Sequence, residues 1–388
     1  MFSNRLPPRT DLNALSRAVA SLRRDGAVVV DLTESNPTRA GFDYPSGLLR
    51  MLGDDRALAY DPQPRGLPSA REAIARDCAR RGAAVDPADV VLCASTSEAY
   101  SWLFKLLCNP GDAVLVPRPS YPLFEHLTRL EGVEAAPYEL QYHGRWEIDF
   151  DSLAAAPVPT RAVLLVSPNN PTGSFVSAAE LERLTAVCRD RGWALIADEV
   201  FADYQLDEAH PVTDLAARAD VLSFTLAGAS KTLGLPQVKL GWIIAGGPAR
   251  DRAAALAALD LIADTFLSVS TPVQLAAALL LDEAASVRAA IHDRVTRNLN
   301  RARELAGTCP SCTVLRVDGG WSAPVRVPAV QSEEAVVLSL LQRERVLVHP
   351  GYFFDFPHEA LLVVSLLPTE AAFADAFGRT LRFVDGLR

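Results

Sequence analysis

Hydrophobic positions fall along this chain in two rhythms. Short, continuous, largely apolar runs occur at Val28 to Leu32, Val90 to Cys93, Ala113 to Val116, Ala162 to Ser167, Ala194 to Ala197, Val221 to Thr225 and Leu240 to Ala245. They read as strands. Helix-length stretches lie between them, for example Pro68 to Arg81, Glu98 to Leu107 and Ala178 to Arg191. Ser177 followed by Glu180 is a capping box that starts the last of these. Strands that are apolar throughout must be covered on both faces, and strands that alternate with helices pair in parallel. The pattern predicts an α/β protein with a buried, mostly parallel sheet wrapped on both sides.

After about residue 247 the rhythm changes. Ala/Leu/Arg-rich helical segments run from Ala249 to about Gly307, broken near Ser270-Thr271-Pro272, and a strand-and-helix tail follows to Arg388. This predicts a second, smaller C-terminal domain reached through a long helix. The expected division is 1–45 as an N-terminal arm and part of the small domain, 46–280 as the large domain and 281–388 as the small domain.

Composition narrows the function. The chain has 388 residues, 49% of them hydrophobic, which is enough for a sizeable core and more than one domain. Its 38 basic and 47 acidic residues give a net charge of −9, the opposite of the basic patch that nucleic acid attracts. The longest apolar candidate, Ala253 to Val269, is interrupted by Asp260 and Asp264, so a membrane span of about 18 apolar residues is not expected. Met1 to Arg5 lacks a signal-peptide core. A soluble, cytoplasmic protein is the expectation. Cys78, Cys93, Cys108 and Cys188 read as small buried hydrophobes. Cys309-Pro310-Ser311-Cys312 is a CxxC that a loop, a redox pair or a metal site could use. Zinc would need two further ligands at matching spacing, and no second CxxC or HxxxH occurs, so no metal is expected.

Three motifs carry candidate chemistry. Ser167-Pro168-Asn169-Asn170-Pro171-Thr172-Gly173 follows one apolar strand, at the sheet edge where open α/β folds bind ligands. The same residues also make an ordinary turn. Ala197-Asp198-Glu199-Val200 ends the next strand, where a carboxylate could meet a protonated ring nitrogen or simply cap a turn. Ala229-Ser230-Lys231-Thr232 is followed by Lys239. A lysine among small residues can form an imine with an aldehyde, and a second cation could neutralise a phosphate. Two solvated lysines are the plain alternative.

Order and spacing add what the single motifs lack. Asn-Pro-Thr-Gly, then Asp198, then Ser230-Lys231 about 33 residues later, resemble the class I/II aminotransferases, the aspartate-aminotransferase-like family of fold type I. Tyr60 with Gly66-Leu67 and Arg71 to Ala75 resembles one further block of that family. Asn109-Pro110-Gly111-Asp112 with Pro119-Ser120-Tyr121-Pro122 resembles another.

The resemblance implies a large domain with a mostly parallel seven-stranded sheet between helices, a smaller α/β C-terminal domain, and pyridoxal 5'-phosphate (PLP) as cofactor. It implies that Lys231 carries PLP as a Schiff base and shuttles the substrate's proton. Asp198 would pair with the pyridinium nitrogen, Asn170 would donate to O3', and Tyr121 would stack on the ring. Ser95, Thr96 and Ser97 would cradle the phosphate at a helix N-terminus, with Ser230 and Lys239 adding a hydroxyl and a charge. Tyr60 would reach the phosphate of the neighbouring subunit, which implies a homodimer.

Three positions depart from the family. Lys239 stands where arginine is usual. Phe201, three residues after Asp198, stands where tyrosine is usual. Val363, in Leu362-Val363-Val364-Ser365, stands where most members carry the arginine that forks the substrate's α-carboxylate, and no arginine lies between Arg345 and Arg379. Either another cation, such as Arg39 beside the Asn36-Pro37 loop, takes that role, or the substrate has no α-carboxylate there. Glutamate and aspartate are then expected to bind poorly. The leading reading is ping-pong transfer of an amino group from an amine donor to a keto acceptor. A PLP lyase, decarboxylase or oxidase is the alternative on the same fold, and a binding or regulatory module is a third.

Overall fold

The computed structural model describes residues 2–7, 11–207 and 220–387. The chain opens with α1 (Ala14–Arg24), β1 (Val30–Asp31), α2 (Pro68–Arg80), β2 (Val90–Cys93), α3 (Thr96–Leu107), β3 (Ala113–Arg118) and α4 (Leu123–Glu131). It continues with β4 (Glu134–Tyr142), β5 (Trp146–Ile148), α5 (Phe150–Ala154), β6 (Thr160–Val166), α6 (Ala178–Arg191), β7 (Ala194–Asp198), β8 (Ser223–Gly228), α7 (Ala229–Thr232) and β9 (Gly241–Gly246). The last part is α8 (Ala249–Phe266), α9 (Thr271–Glu283), α10 (Ala285–Gly307), β10 (Thr313–Val314), β11 (Ser322–Arg326), α11 (Glu333–Glu344), β12 (Val346–Leu347), β13 (His349–Pro350), β14 (Leu361–Ser365) and α12 (Glu370–Asp385).

The main sheet has the order β2-β9-β8-β7-β6-β3-β4-β5. The pairs β8–β7, β7–β6, β6–β3 and β3–β4 are parallel. Strand β9 runs against both of its neighbours, and β5 runs against β4 at the edge. The sheet therefore holds eight strands, seven plus the short β5. Strands β7, β8 and β9 are buried at every position, which accounts for their unbroken apolar runs.

Two strand expectations are corrected. The run at Val28 to Leu32 is not part of this sheet: only Val30–Asp31 is extended, and it pairs in parallel with β12. The missing seventh strand is β4, whose burial alternates along Glu134–Tyr142 because it lies next to the edge. Helix α6 starts on the expected capping box, with Glu180 Oε2 accepting from the Ser177 N–H, and ends on left-handed Gly192.

A second sheet, β10-β11-β14-β13, is antiparallel. Its core gathers residues from α10, α11 and α12 with Leu15, Leu32 and Ala40 from the N-terminal segment. Cys309 and Cys312 are buried in this core, with the Ser311 hydroxyl between them and Asp385. No single helix among the described residues is long and apolar enough to cross a membrane. Helices α8 and α9 pass such a test only as a pair bent by 118°, and they bury Leu259, Ala263, Ala277 and Leu280 in the protein.

Candidate active site

The carboxyl ends of β2, β6, β7 and β8 face one edge of the main sheet, and each hands the chain to a loop or helix that reaches a common cavity of about 480 Å³. The crevice beyond those ends is where an open α/β sheet places its ligand. Segments of the second sheet form the other wall.

Strand β8 ends at Gly228, and the single turn α7 places Lys231 at the cavity. Its Nζ lies 4.8 Å from the Trp321 ring centre and 5.5 Å from that of Phe201. Burial drives the Lys231 pKa down to about 8, with the charge of Asp198 pulling it back up. The backbone carbonyl of Lys231 accepts a 2.7 Å hydrogen bond from the Tyr204 hydroxyl. The chain has only three lysines. Lys105 is tied to Glu131 at 2.6 Å on α3, and Lys239 is exposed.

Asp198 ends β7 and is buried. Its Oδ2 accepts from the Tyr100 hydroxyl at 2.6 Å and its Oδ1 from the Val200 N–H at 3.0 Å. Burial raises the Asp198 pKa, while Tyr100, Val200 and Lys231 each lower it. Burial also pushes the Tyr100 phenol well above its ordinary pKa, and the neighbouring carboxylate adds to this, so Tyr100 stays a donor.

Beyond β2, Ser95 caps α3 and accepts from the Glu98 N–H at 3.2 Å. Ser95, Thr96 and Ser97 line the cavity at this helix N-terminus, the positive end of the helix dipole. A side chain at Gly241 would come 3.1 Å from the Ser95 carbonyl carbon, so glycine lets β9 pass close behind the turn. Lys239 and Ser230 also line the cavity. Lys239 sits in the left-handed region at φ 57°, which costs a non-glycine residue about 1–2 kcal/mol. Such strain gathers at functional sites.

After β6, the two asparagines divide the work. Asn169 is buried and spent on the loop: its Nδ2 donates to the Pro119 carbonyl at 3.0 Å and to the Thr172 hydroxyl at 2.9 Å. Asn170 lines the cavity. Gly173, at φ 69°, accepts at its carbonyl from the N–H groups of Asp318 and Gly319. A Cβ there would lie 2.6 Å from the Gly319 carbonyl oxygen, so glycine lets the turn dock on the segment leading to Trp321.

Tyr121 forms part of the wall, edge-on to Phe124 at 6.5 Å. Of the residues expected at the site, only Tyr60 stands away from this cavity: it is 77% exposed and borders a separate shallow groove with Trp102 and Gln274. Phe201 is buried against Trp321 at 5.2 Å. Val363 lines the cavity, whereas Arg39 is exposed and does not. Among the described residues the cavity's cations are Lys231 and Lys239.

Tyr100, Trp321 and His349 are among the lining residues not singled out from the sequence. Tyr100 looks like an ordinary core position of an amphipathic helix. Trp321 and His349 come from segments with no motif of their own.

The model of the family "Aminotransferase class I and II" matches residues 28–371, and the chain belongs to this family. A glutamate–pyruvate aminotransferase of Haemophilus influenzae is 29% identical over 380 residues, covering 95% of this chain and 93% of that protein. An alanine aminotransferase of Mycobacterium tuberculosis is 27% identical over 385 residues, covering 95% and 88%. The crystal structure of an aminotransferase from Escherichia coli superposes with a TM-score of 0.88 at 26% identity, covering 100% of this chain and 98% of that one. The protein is an aminotransferase of fold type I.

Proposed function

We propose that this aminotransferase holds PLP in the cavity, attached to Lys231, and moves an amino group between an amine donor and a keto acceptor. The observation that supports this most is the pairing of a half-buried lysine, depressed to about 8, with a buried carboxylate held by Tyr100. The donor set fits the cofactor. Lys231 supplies an amine that is neutral at mildly alkaline pH, and Asp198 an anion for a protonated ring nitrogen. The α3 N-terminus with Ser95, Thr96, Ser97, Ser230 and Lys239 supplies donors and charge for a phosphate.

When bound, the cofactor supplies an electron sink for charge developing at the substrate's α-carbon. Lys231 Nζ takes and returns the α-proton. Asp198 holds a proton on the ring nitrogen, and Tyr100 and the Val200 N–H fix its carboxylate. Asn170 would donate to O3', and Tyr121 would cover one ring face; both line the cavity. Tyr204 fixes the backbone that carries Lys231.

We read the active unit as a homodimer in which Tyr60 serves the neighbouring site. Exposed Leu58, Tyr60, Leu261 and Leu279, on or beside helices α8 and α9, support an apolar interface there. We read 46–280 as the cofactor-binding domain and 1–45 with 281–388 as the smaller part, which the shared core of Leu15, Leu32 and Ala40 with α10 to α12 supports.

The relatives are named for glutamate, alanine and pyruvate. Those substrates are not carried over, because valine stands at position 363. Donor alone, with no acceptor, tests the reaction class. Transfer gives one carbonyl product per site and then stops. Continued release of ammonia or carbon dioxide would contradict it.

A further inference from the structure

The second sheet and its loops line the cavity with Trp321, Ser322, His349, Phe354, Val363 and Ser365. None of these is a lysine or arginine. His349 and Val363 are directly opposed across the β13–β14 pair, so their side chains leave the same face of the sheet. The His349 ring is packed edge-on to Phe354 at 5.6 Å and tilted to Phe353 at 5.7 Å. Its Nδ1 is enclosed by protein, as is Nε1 of Trp321, so the half-buried ring meets the cavity through its remaining edge. Ser365 is already used: its hydroxyl donates to the Glu34 carbonyl at 2.6 Å and accepts from the Leu367 N–H at 3.2 Å. Burial holds the His349 imidazole below its ordinary pKa, with Asp31 pulling back, so the ring is neutral near pH 7.

This wall suits one kind of group. A desolvated carboxylate needs a paired cation, or it costs several kcal/mol to bury. A hydroxyl or carboxamide needs only neutral partners, and the half-buried His349 ring on this wall can be one. Resting on the aminotransferase reading of the site, we propose that His349 is a specificity residue. It recognises an uncharged hydrogen-bonding group beside the amine-bearing carbon, so the enzyme takes amino alcohols or amino amides in preference to α-amino acids.

The test is binding of a matched series to the PLP-loaded enzyme, by calorimetry and by the absorbance of the bound cofactor. The series is 2-aminobutyrate, its amide, 2-aminobutan-1-ol and butan-2-amine. Wild type is expected to bind the amide and the alcohol at least about tenfold tighter than the acid, the scale of one lost charge-pairing or hydrogen-bonding interaction. His349→Phe keeps the aromatic packing. It should weaken the amide and alcohol by about fivefold to tenfold while leaving butan-2-amine unchanged. His349→Gln, which retains a side-chain hydrogen bond, should keep the wild-type order and decides the matter if the phenylalanine variant does not fold. The acid binding tightest to wild type would overturn the inference alone, as would an equal loss for all four ligands in His349→Phe. No response from any of the four, in enzyme whose absorbance shows bound PLP, would overturn the inference alone, whereas failure of the apoenzyme to take up PLP would overturn the cofactor reading on which it rests.

Discussion

The Tyr100 hydroxyl donates a 2.6 Å hydrogen bond to Oδ2 of Asp198, joining the third helix to the end of strand β7 inside the protein. Both groups are buried, and a hydrogen bond to a charged group in such a place contributes about 1.5–3 kcal/mol. Its role is to keep the carboxylate ionised and aimed. Burial alone would favour the neutral acid.

Tyr100→Phe should therefore lower kcat by about tenfold, or about 1.4 kcal/mol of barrier. The sign of the pH effect follows from the bond. Tyr100 lowers the Asp198 pKa, so removing it raises that pKa. The acid limb of kcat/KM should move to higher pH in the variant. Asp198→Ala should cost more than Tyr100→Phe and should show no such limb. A variant with an unmoved limb would remove Tyr100 from the site's electrostatics.

Lys231 gives a second pH dependence. Its pKa lies near 8 in the folded protein against 10.5 for a free lysine. The folded state thus binds fewer protons than the unfolded state between those values. Apoenzyme stability should rise with pH across that window, and the buried charge should weaken the fold below it. Capture of added PLP by the apoenzyme should quicken with pH and level off above about 8. A rate that climbs tenfold per pH unit through pH 10 would show an ordinary, solvated lysine.

Much of this site was legible in the sequence, and the reasons it was incomplete are physical. The buried strands β6, β7 and β8 are continuous apolar runs, so the residues at their ends, Asn170, Asp198 and Lys231, could be placed on one sheet edge. Strand β4 was missed because it alternates and carries Pro137, as a strand with a half-covered face does. Val28 to Leu32 has a strand's composition, but its partner, Val346–Leu347, lies over three hundred residues away. Tyr100 was hidden because a helix-core tyrosine and a carboxylate donor have the same local sequence. His349 and Val363 become neighbours only through strand pairing. The absence of arginine was legible, but what stands in its place was not.

Dimerisation has its own test. Tyr60 is 77% exposed and lies outside the cavity of its own chain, so its proposed role needs a second copy. Sedimentation at assay concentration should show a dimer. Tyr60→Phe should weaken PLP retention by about tenfold, the value of one hydrogen bond to a charged group. A fully active monomer would end this part of the account.

The attachment of the cofactor to Lys231 is the claim on which the rest depends, and the small number of lysines makes it directly measurable. PLP-loaded enzyme is reduced with borohydride, digested and analysed by mass spectrometry. With Lys105, Lys231 and Lys239 as the only lysines in the chain, the expected result is one cofactor mass on the peptide containing Lys231, and none after Lys231→Ala. Reduced cofactor on Lys105 or Lys239, or a label that survives in Lys231→Ala, would contradict the account.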